Sequence, residues 1–339
     1  MNRNELQLLA ELSDPDEGVV RALAALDGDV MLLGAGGKIG YGLALMVHRG
    51  LELAGKKSRV IAVSRFSSPE IAEQLRLEGM QTVAADLLDV DAVRALPDAA
   101  NIIYLVGQKF GTTSQPGLTW LTNTIIPANV AQRFCDSQFV VVSTGNVYPL
   151  MPVAGGGASE STPLSPVGEY GQSALARERI FEHFSRTHGT PMSIIRLNYA
   201  NEPRYGVLVD IAMKVRRGEP IDVTMGHVNA VWATDANRVI VKSFGLTDSP
   251  PSVLNVAGPR TLRVRDLAMA FGEALGVEPV IVGHEDEHAL LSDAYKCWST
   301  FGEPEATDDY MIRRVAAWIL EGYATWDRPT DFQMQTGEF

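Results

Sequence analysis

The stretch Asp29-Val30-Met31-Leu32-Leu33-Gly34-Ala35-Gly36-Gly37-Lys38-Ile39-Gly40 decides how the rest of this chain reads. A short apolar run without polar alternation is the pattern of a strand buried on both faces. Glycines at 34, 37 and 40 then let the chain turn sharply and bring its backbone close to a ligand. The helix expected from there to about Leu53 would begin with unpaired N–H groups and a partial positive charge, which suit a pyrophosphate. Strand, glycine turn and helix in this order point to a dinucleotide-binding unit.

Outward from that unit the pattern repeats. Strand-like runs at 59–63, 82–84, 101–105, 139–142 and 193–197 alternate with helical spacing at 69–78, 90–96, 120–135 and 170–188. Such alternation predicts an α/β fold, a Rossmann-type doubly wound parallel sheet covered on both faces. Residues 1–28 read as an N-terminal helical extension, with Asp14-Pro15 marking a helix start, and 29–198 as the dinucleotide-binding domain. The Pro- and Gly-rich stretch 149–168 reads as a long loop inside that domain. Residues 199–339 read mainly as a smaller substrate-binding lobe, with 251–258 returning to the sheet.

Composition narrows the function classes. The chain has 339 residues, 46% hydrophobic and 21% charged, and a net charge of −12. That balance suits a protein with a real core and opposes non-specific grip on a nucleic acid backbone. No run of about 18 uninterrupted apolar residues predicts a membrane span, and the acidic, amphipathic start does not read as a secretion signal. Cys135 and Cys297 lack metal-ligand spacing and read as reduced thiols. A cytoplasmic protein acting on a small molecule, away from membranes, is the expectation.

The glycine spacing G-x-x-G-x-x-G resembles the extended branch of the short-chain dehydrogenase/reductase superfamily, the NAD-dependent epimerases and dehydratases. The resemblance runs from about 29 to 325. It includes Asp86-Leu87-Leu88, Val106-Gly107, Asn123, Val142-Ser143-Thr144-Gly145-Asn146-Val147-Tyr148, Tyr170-Gly171-Gln172-Ser173, Leu254-Asn255-Val256-Ala257-Gly258-Pro259 and Phe301-Gly302-Glu303-Pro304. It implies that Gly34, Gly36, Gly37, Lys38, Ile39 and Gly40 cradle the cofactor, that Asp86 and Leu87 meet the adenine, and that Val106 and Gly107 line the pocket. It also implies a proton-transferring Tyr170 at the cofactor, a hydroxyl from Thr144 or Ser143 on the same substrate oxygen, a structural Asn123, and a homodimer through the helices near 120–135 and 170–188.

The departures from the family pattern carry information. Strand two ends in Ser64-Arg65 with no acid; a guanidinium there suits a 2′-phosphate, which favours NADP over NAD. Ala174 stands where the family's Tyr-x-x-x-Lys motif has lysine. Without that ammonium the phenol stays protonated, which favours carbonyl reduction, unless Arg177, Lys38 or Lys109 supplies a substitute cation. In the lobe, Val228 stands where nucleotide-sugar enzymes carry a diphosphate-binding Arg. A smaller sugar, polyol or sugar acid is therefore expected, met by Lys109, Asn146, Asn198, Arg204 or His227. Tyr148, Tyr199 and Trp232 read as core or as pocket wall. Gly145-Asn146 lacks the Asp-Glu pair of dehydratases. His284-Glu285-Asp286-Glu287-His288 fits H-E-x-x-H, yet follows a strand-like run in an acidic turn, so no metal is expected. The leading reading is an NAD(P)-dependent oxidoreductase or epimerase. The alternative is a non-catalytic NAD(P)-sensing protein on the same fold.

Overall fold

Seven strands form the central sheet: β1 (Val30–Leu33), β2 (Val60–Ser64), β3 (Gln81–Ala84), β4 (Asn101–Tyr104), β5 (Gln138–Thr144), β6 (Met192–Leu197) and β7 (Ser252–Val256). A computed structural model describes residues 3–337, so residues 1–2 of the expected extension and 338–339 of the expected lobe lie outside the described residues. The strand order is β7-β6-β5-β4-β1-β2-β3. The β1–β2, β1–β4, β2–β3 and β4–β5 pairings are all parallel. Strand order reverses at β1, which opens a crevice beyond the carboxyl ends of β1 and β4.

The apolar runs form strands because both sheet faces are covered. All four residues of β1 and of β4 are buried. Met31, Ile61, Ile102 and Phe139 share one face and pack with Val130 and Phe134 and with Phe181. These come from α7 (Ile126–Arg133), the residue following it, and α8 (Gly168–His188). The other face of β1 and β2 meets α3 (Gly40–Leu53).

The helix expected over 120–135 forms with a π turn inside it. It comprises α6 (Pro116–Trp120), a π turn over Leu121–Ile125, and α7. Pro127 has no N–H to donate to the carbonyl of Asn123, so an ordinary helical ladder cannot run through this point.

The chain divides into two compact units, and the division is not the linear one expected. One unit gathers Met1–Ser143, Gln172–Arg196 and Asn237–Leu254; the other gathers Thr144–Gly171, Leu197–Ala236 and Asn255–Phe339. The stretch 149–168 therefore belongs to the lobe, not to the dinucleotide-binding domain. Met151 and Pro152 pair antiparallel with Ala289 and His288, and the Ala158 N–H donates to the Leu291 carbonyl at 2.9 Å. Backbone hydrogen bonding to a segment so far along the sequence is invisible to local pattern. The lobe's core packs α9 (Val207–Arg217) with α11 (Val264–Leu275) and α13 (Asp308–Leu320), burying Ile211, Phe271 and Val315.

In the first unit, α1 (Arg3–Leu12) and α2 (Glu17–Ala24) precede the sheet, and Leu8, Val19 and Leu23 are fully buried. The end of α10 (Ala233–Lys242) holds them: Asn237 Nδ2 donates to the Leu12 carbonyl at 3.2 Å and Arg238 Nε to the Asp14 carbonyl at 3.0 Å. The helix cap is Asp16, whose Oδ1 accepts from the Val19 N–H at 2.6 Å and whose Oδ2 meets Lys242 Nζ at 3.0 Å. Burial alone would raise this carboxyl, but the Val19 amide and Lys242 hold it below the usual carboxylate range. Asp16→Ala should cost about 1 kcal/mol at neutral pH. Because the folded carboxyl titrates below the unfolded one, that gap is full above ordinary carboxylate pH and closes as pH falls through the folded value. Urea unfolding of both proteins at neutral pH and under acid conditions measures it.

Candidate functional site

The glycine turn has the geometry of a cradle. Gly34 has φ +96°, a conformation that side-chain-bearing residues avoid. Its N–H donates to the Val63 carbonyl at 2.8 Å, and the Gly37 N–H closes the turn onto the Gly34 carbonyl at 2.9 Å. A Cβ on Gly40 would stand 2.5 Å from that same carbonyl oxygen, so α3 begins pressed against the turn. Ile39 sits at the cap position and no side chain caps α3 among the described residues. A helix start without a side-chain cap is a place where backbone N–H groups can meet an anion.

A cleft opens here within the first unit. Gly34, Gly36, Gly37, Ser64, Arg65, Asp86, Leu87, Val106 and Gly107, all named above as cofactor candidates, line it. Lys38, Ile39 and Gly40 instead build the turn and the helix start behind it. Among the lining residues that escaped sequence reading are Phe66, Ser67 and Ser68. Phe66 adopts φ +45°, which bends the chain after β2 along the cleft; only the Ser-Ser-Pro helix start hints at it. Arg65 is exposed and forms no ion pair among the described residues. Asp86 Oδ1 accepts from the Leu88 N–H at 3.0 Å. The glycine turn, uncapped helix and polar rim fit a dinucleotide.

Asn123 lies in the π turn and is fully buried. Its Oδ1 accepts from the Gln108 N–H at 2.9 Å, and its Nδ2 donates to the Gln108 carbonyl at 3.1 Å and to Ser173 Oγ at 2.9 Å. One amide thereby fastens the segment after β4 to α8.

The two hydroxyls at the end of β5 have different fates. Ser143 Oγ donates to Glu178 Oε1 at 2.5 Å, and Glu178 is paired with Arg196, Nη2 to Oε2 at 2.8 Å. Thr144 Oγ1, in the second unit, accepts from the Asn146 N–H at 3.2 Å and from Asn146 Nδ2 at 3.0 Å. Ser143 is thus committed to structure, while the Thr144 hydroxyl proton is not consumed by these bonds. Glu178 and Arg196 are the residues sequence reading missed; a charged pair on a buried helix face and strand end was the available signal. Tyr170 opens α8 in the second unit. Burial, then the Asp210 carboxylate and the Tyr170 phenol, push the neighbouring Tyr205 phenol above its ordinary value. Ala174 is fully buried.

The expected substrate residues are spread over both units. Asn198 is buried, its Nδ2 3.3 Å from Asn229 Oδ1, and Asn229 Nδ2 donates to the Ser292 carbonyl at 2.5 Å. A Cβ on Gly145 would stand 3.0 Å from both Asn198 Cγ and Ser292 Oγ. This is a cluster of neutral amides and hydroxyls. Arg204 is already answered by the buried carboxylate of Glu202, at 2.8 and 3.0 Å, and its guanidinium lies over Trp326. His227 pairs by its backbone with Arg263, and its buried Nδ1 has no partner among the described residues. Lys109 belongs to the first unit, its Nζ 5.7 Å from the Phe110 ring centre. Tyr148 is core, donating to Asn255 Oδ1 at 2.8 Å; Trp232 is core against Tyr310; Tyr199 packs on the lobe's apolar cluster. The H-E-x-x-H residues form no helix: 284–287 are irregular and Glu285 is tied to Arg263 and Arg265.

Residues 30–230 match the NAD dependent epimerase/dehydratase family. The chain belongs to this family. Its fold is shared with the UDP-glucose 4-epimerase of Thermus thermophilus in complex with NAD, at 19% identity over 87% of this chain and 99% of that one, TM-score 0.71. A UDP-glucuronic acid 4-epimerase variant from Bacillus cereus, bound to a fluorinated UDP-sugar and NAD, superposes at TM-score 0.74 with 16% identity, over 87% and 100% of the chains. The dTDP-glucose 4,6-dehydratase of Streptomyces venezuelae, with NAD bound, gives 0.74 at 18%, over 87% and 97%. No curated protein matches by sequence. No helix among the described residues is long and apolar enough to cross a membrane.

Within this family member the Glu178–Arg196 pair gives a direct test of what fastens α8 to the sheet. Both side chains are about as buried as core residues, 4% and 5% exposed. Glu178→Gln strands the guanidinium and should cost about 3–5 kcal/mol, against about 1 kcal/mol for Ser143→Ala. Denaturant midpoints of the single variants check the ranking.

Proposed function

We propose that the chain is a pyridine-nucleotide-dependent oxidoreductase or epimerase, biased toward carbonyl reduction and toward NADP, acting on a small carbohydrate-like substrate. The observation that carries this reading is the contrast at the end of β5, where Glu178 takes the Ser143 hydroxyl and Thr144 keeps a proton to donate. In reduction, the bound cofactor supplies the hydride. Tyr170 Oη then gives its proton to the oxygen left negative, while the Thr144 hydroxyl donates a hydrogen bond to that oxygen. Ala174 places no ammonium four residues after Tyr170.

Arg65 supports the NADP preference. It lines the cleft, is exposed, and meets no carboxylate among the described residues, so its fork is open to a 2′-phosphate. The neutral cluster around Asn198, Asn229 and Ser292, with Val228 buried and Arg204 neutralised by Glu202, supports a hydroxyl-rich substrate without a diphosphate.

Calorimetry with NAD+ and NADP+ tests the cofactor reading. Arg65→Ala should weaken NADP+ roughly tenfold or more, the worth of a charge-assisted hydrogen bond, and leave NAD+ nearly unchanged. Equal affinities before and after the substitution would remove the NADP preference, and no binding of either would remove the whole reading. Tyr170→Phe should lower carbonyl-reducing turnover by about 10²–10⁴-fold with cofactor affinity retained; binding without turnover over a broad carbonyl and polyol panel would point to the sensing protein instead.

A further inference from the structure

Arg177 and Glu178 are neighbours on α8, both buried, at 4% and 3% exposure. Glu178 is answered by Arg196 and Ser143. Arg177 is not answered by any carboxylate among the described residues. Its Nη1 donates to the Val106 carbonyl at 3.3 Å, and its Nε has no partner. The phenol of Tyr104, also buried without a hydrogen-bond partner, lies within its field. A buried cation left without a counter-charge costs several kcal/mol. A protein that keeps one there has a reason outside its own contacts.

The location supplies the reason. Nη1 stands 2.6 Å from where a Cβ on Gly107 would be, so the guanidinium lies directly behind an exposed glycine that lines the cleft. Arg65, Ser68 and Asp86 mark the β2–β3 side of the crevice, the side that takes the adenosine half of a dinucleotide. Val106 and Gly107 follow β4, on the other side of the point where strand order reverses. That side takes the nicotinamide half.

We propose that Arg177 is a positioning residue whose charge, set behind the Val106–Gly107 backbone, makes the cleft discriminate between the two redox states of a pyridine dinucleotide. The oxidised nicotinamide ring carries a positive charge and the reduced ring is neutral. A fixed cation on that side repels the first and leaves the second alone, so the protein holds the reduced form preferentially. The inference rests on reading the cleft as a dinucleotide site and deepens it: the bias toward reduction becomes a property of binding as well as of the phenol.

The test is titration of the wild type, Arg177→Met and Arg177→Gln with NADP+ and NADPH separately, by calorimetry. Wild type should bind NADPH more tightly. In both variants the ratio of the NADP+ to the NADPH dissociation constant should fall about tenfold, the effect of unit charges roughly 10 Å apart at an effective dielectric constant near 20. Arg177→Lys, which keeps the charge, should hold the wild-type ratio. The ligand-free Met variant should unfold no earlier than wild type, since an unanswered charge has been removed. A merely structural arginine would weaken both redox forms equally and leave the ratio unchanged in all three variants, which overturns the proposal. Should wild type bind neither form, the dinucleotide reading fails first and is recognised separately; should Met fold poorly, Gln keeps an N–H for the Val106 carbonyl and carries the measurement.

Discussion

A buried charge has to be answered, and at α8 two adjacent charges are treated in opposite ways. Glu178 reaches Arg196 on β6 and the Ser143 hydroxyl at the end of β5, so one carboxylate fastens the helix to two strands. The consequence passes down the chain by one residue. With Ser143 committed, Thr144 carries the hydroxyl whose partners, both from Asn146, leave its proton unspent. Arg177, one position earlier on the helix, is left facing the backbone behind Gly107 with an unfilled Nε.

The remainder of the cleft follows from strand order. A parallel sheet whose order reverses at β1 leaves the amino end of α3 facing a crevice, and an uncapped helix start is a place for an anion. The family is NAD dependent, and the fold is shared with enzymes described as acting on nucleotide sugars. The chain's own residues add detail at two places: Arg65 follows strand two on the rim of the cleft, and the buried Ala174 lies four residues after Tyr170.

Much of the sheet was legible because strands buried on both faces must be apolar throughout, and β1, β2, β4 and β5 each read as unbroken hydrophobic runs. The lining glycines, Ser64, Arg65, Asp86 and Val106-Gly107 were legible for a related reason, since they sit at strand ends whose positions the alternation fixes. The stretch 149–168 was misplaced because its partners, Leu291 and His288-Ala289, lie far along the chain and hydrogen bonding between backbones leaves no side-chain pattern. The helix near 120–135 was legible, but its π turn was not, because a single proline shifts the ladder of a helix without disturbing its apolar spacing. Phe66 escaped because a left-handed backbone at a non-glycine residue has no sequence signature.

By itself, the sequence determined the sheet, the glycine turn that faces a dinucleotide, and the identity of the residues at each strand end, because burial on two faces and tight turns restrict which residues are tolerated. Only the tertiary structure decided which hydroxyl is spent and which is spared, which arginine is paired and which is left over. Those outcomes depend on side chains that meet across 18 residues of sequence between Glu178 and Arg196 and 71 between Val106 and Arg177. Hydrogen bonds of a few ångströms are fixed by packing, and no spacing along the chain encodes them.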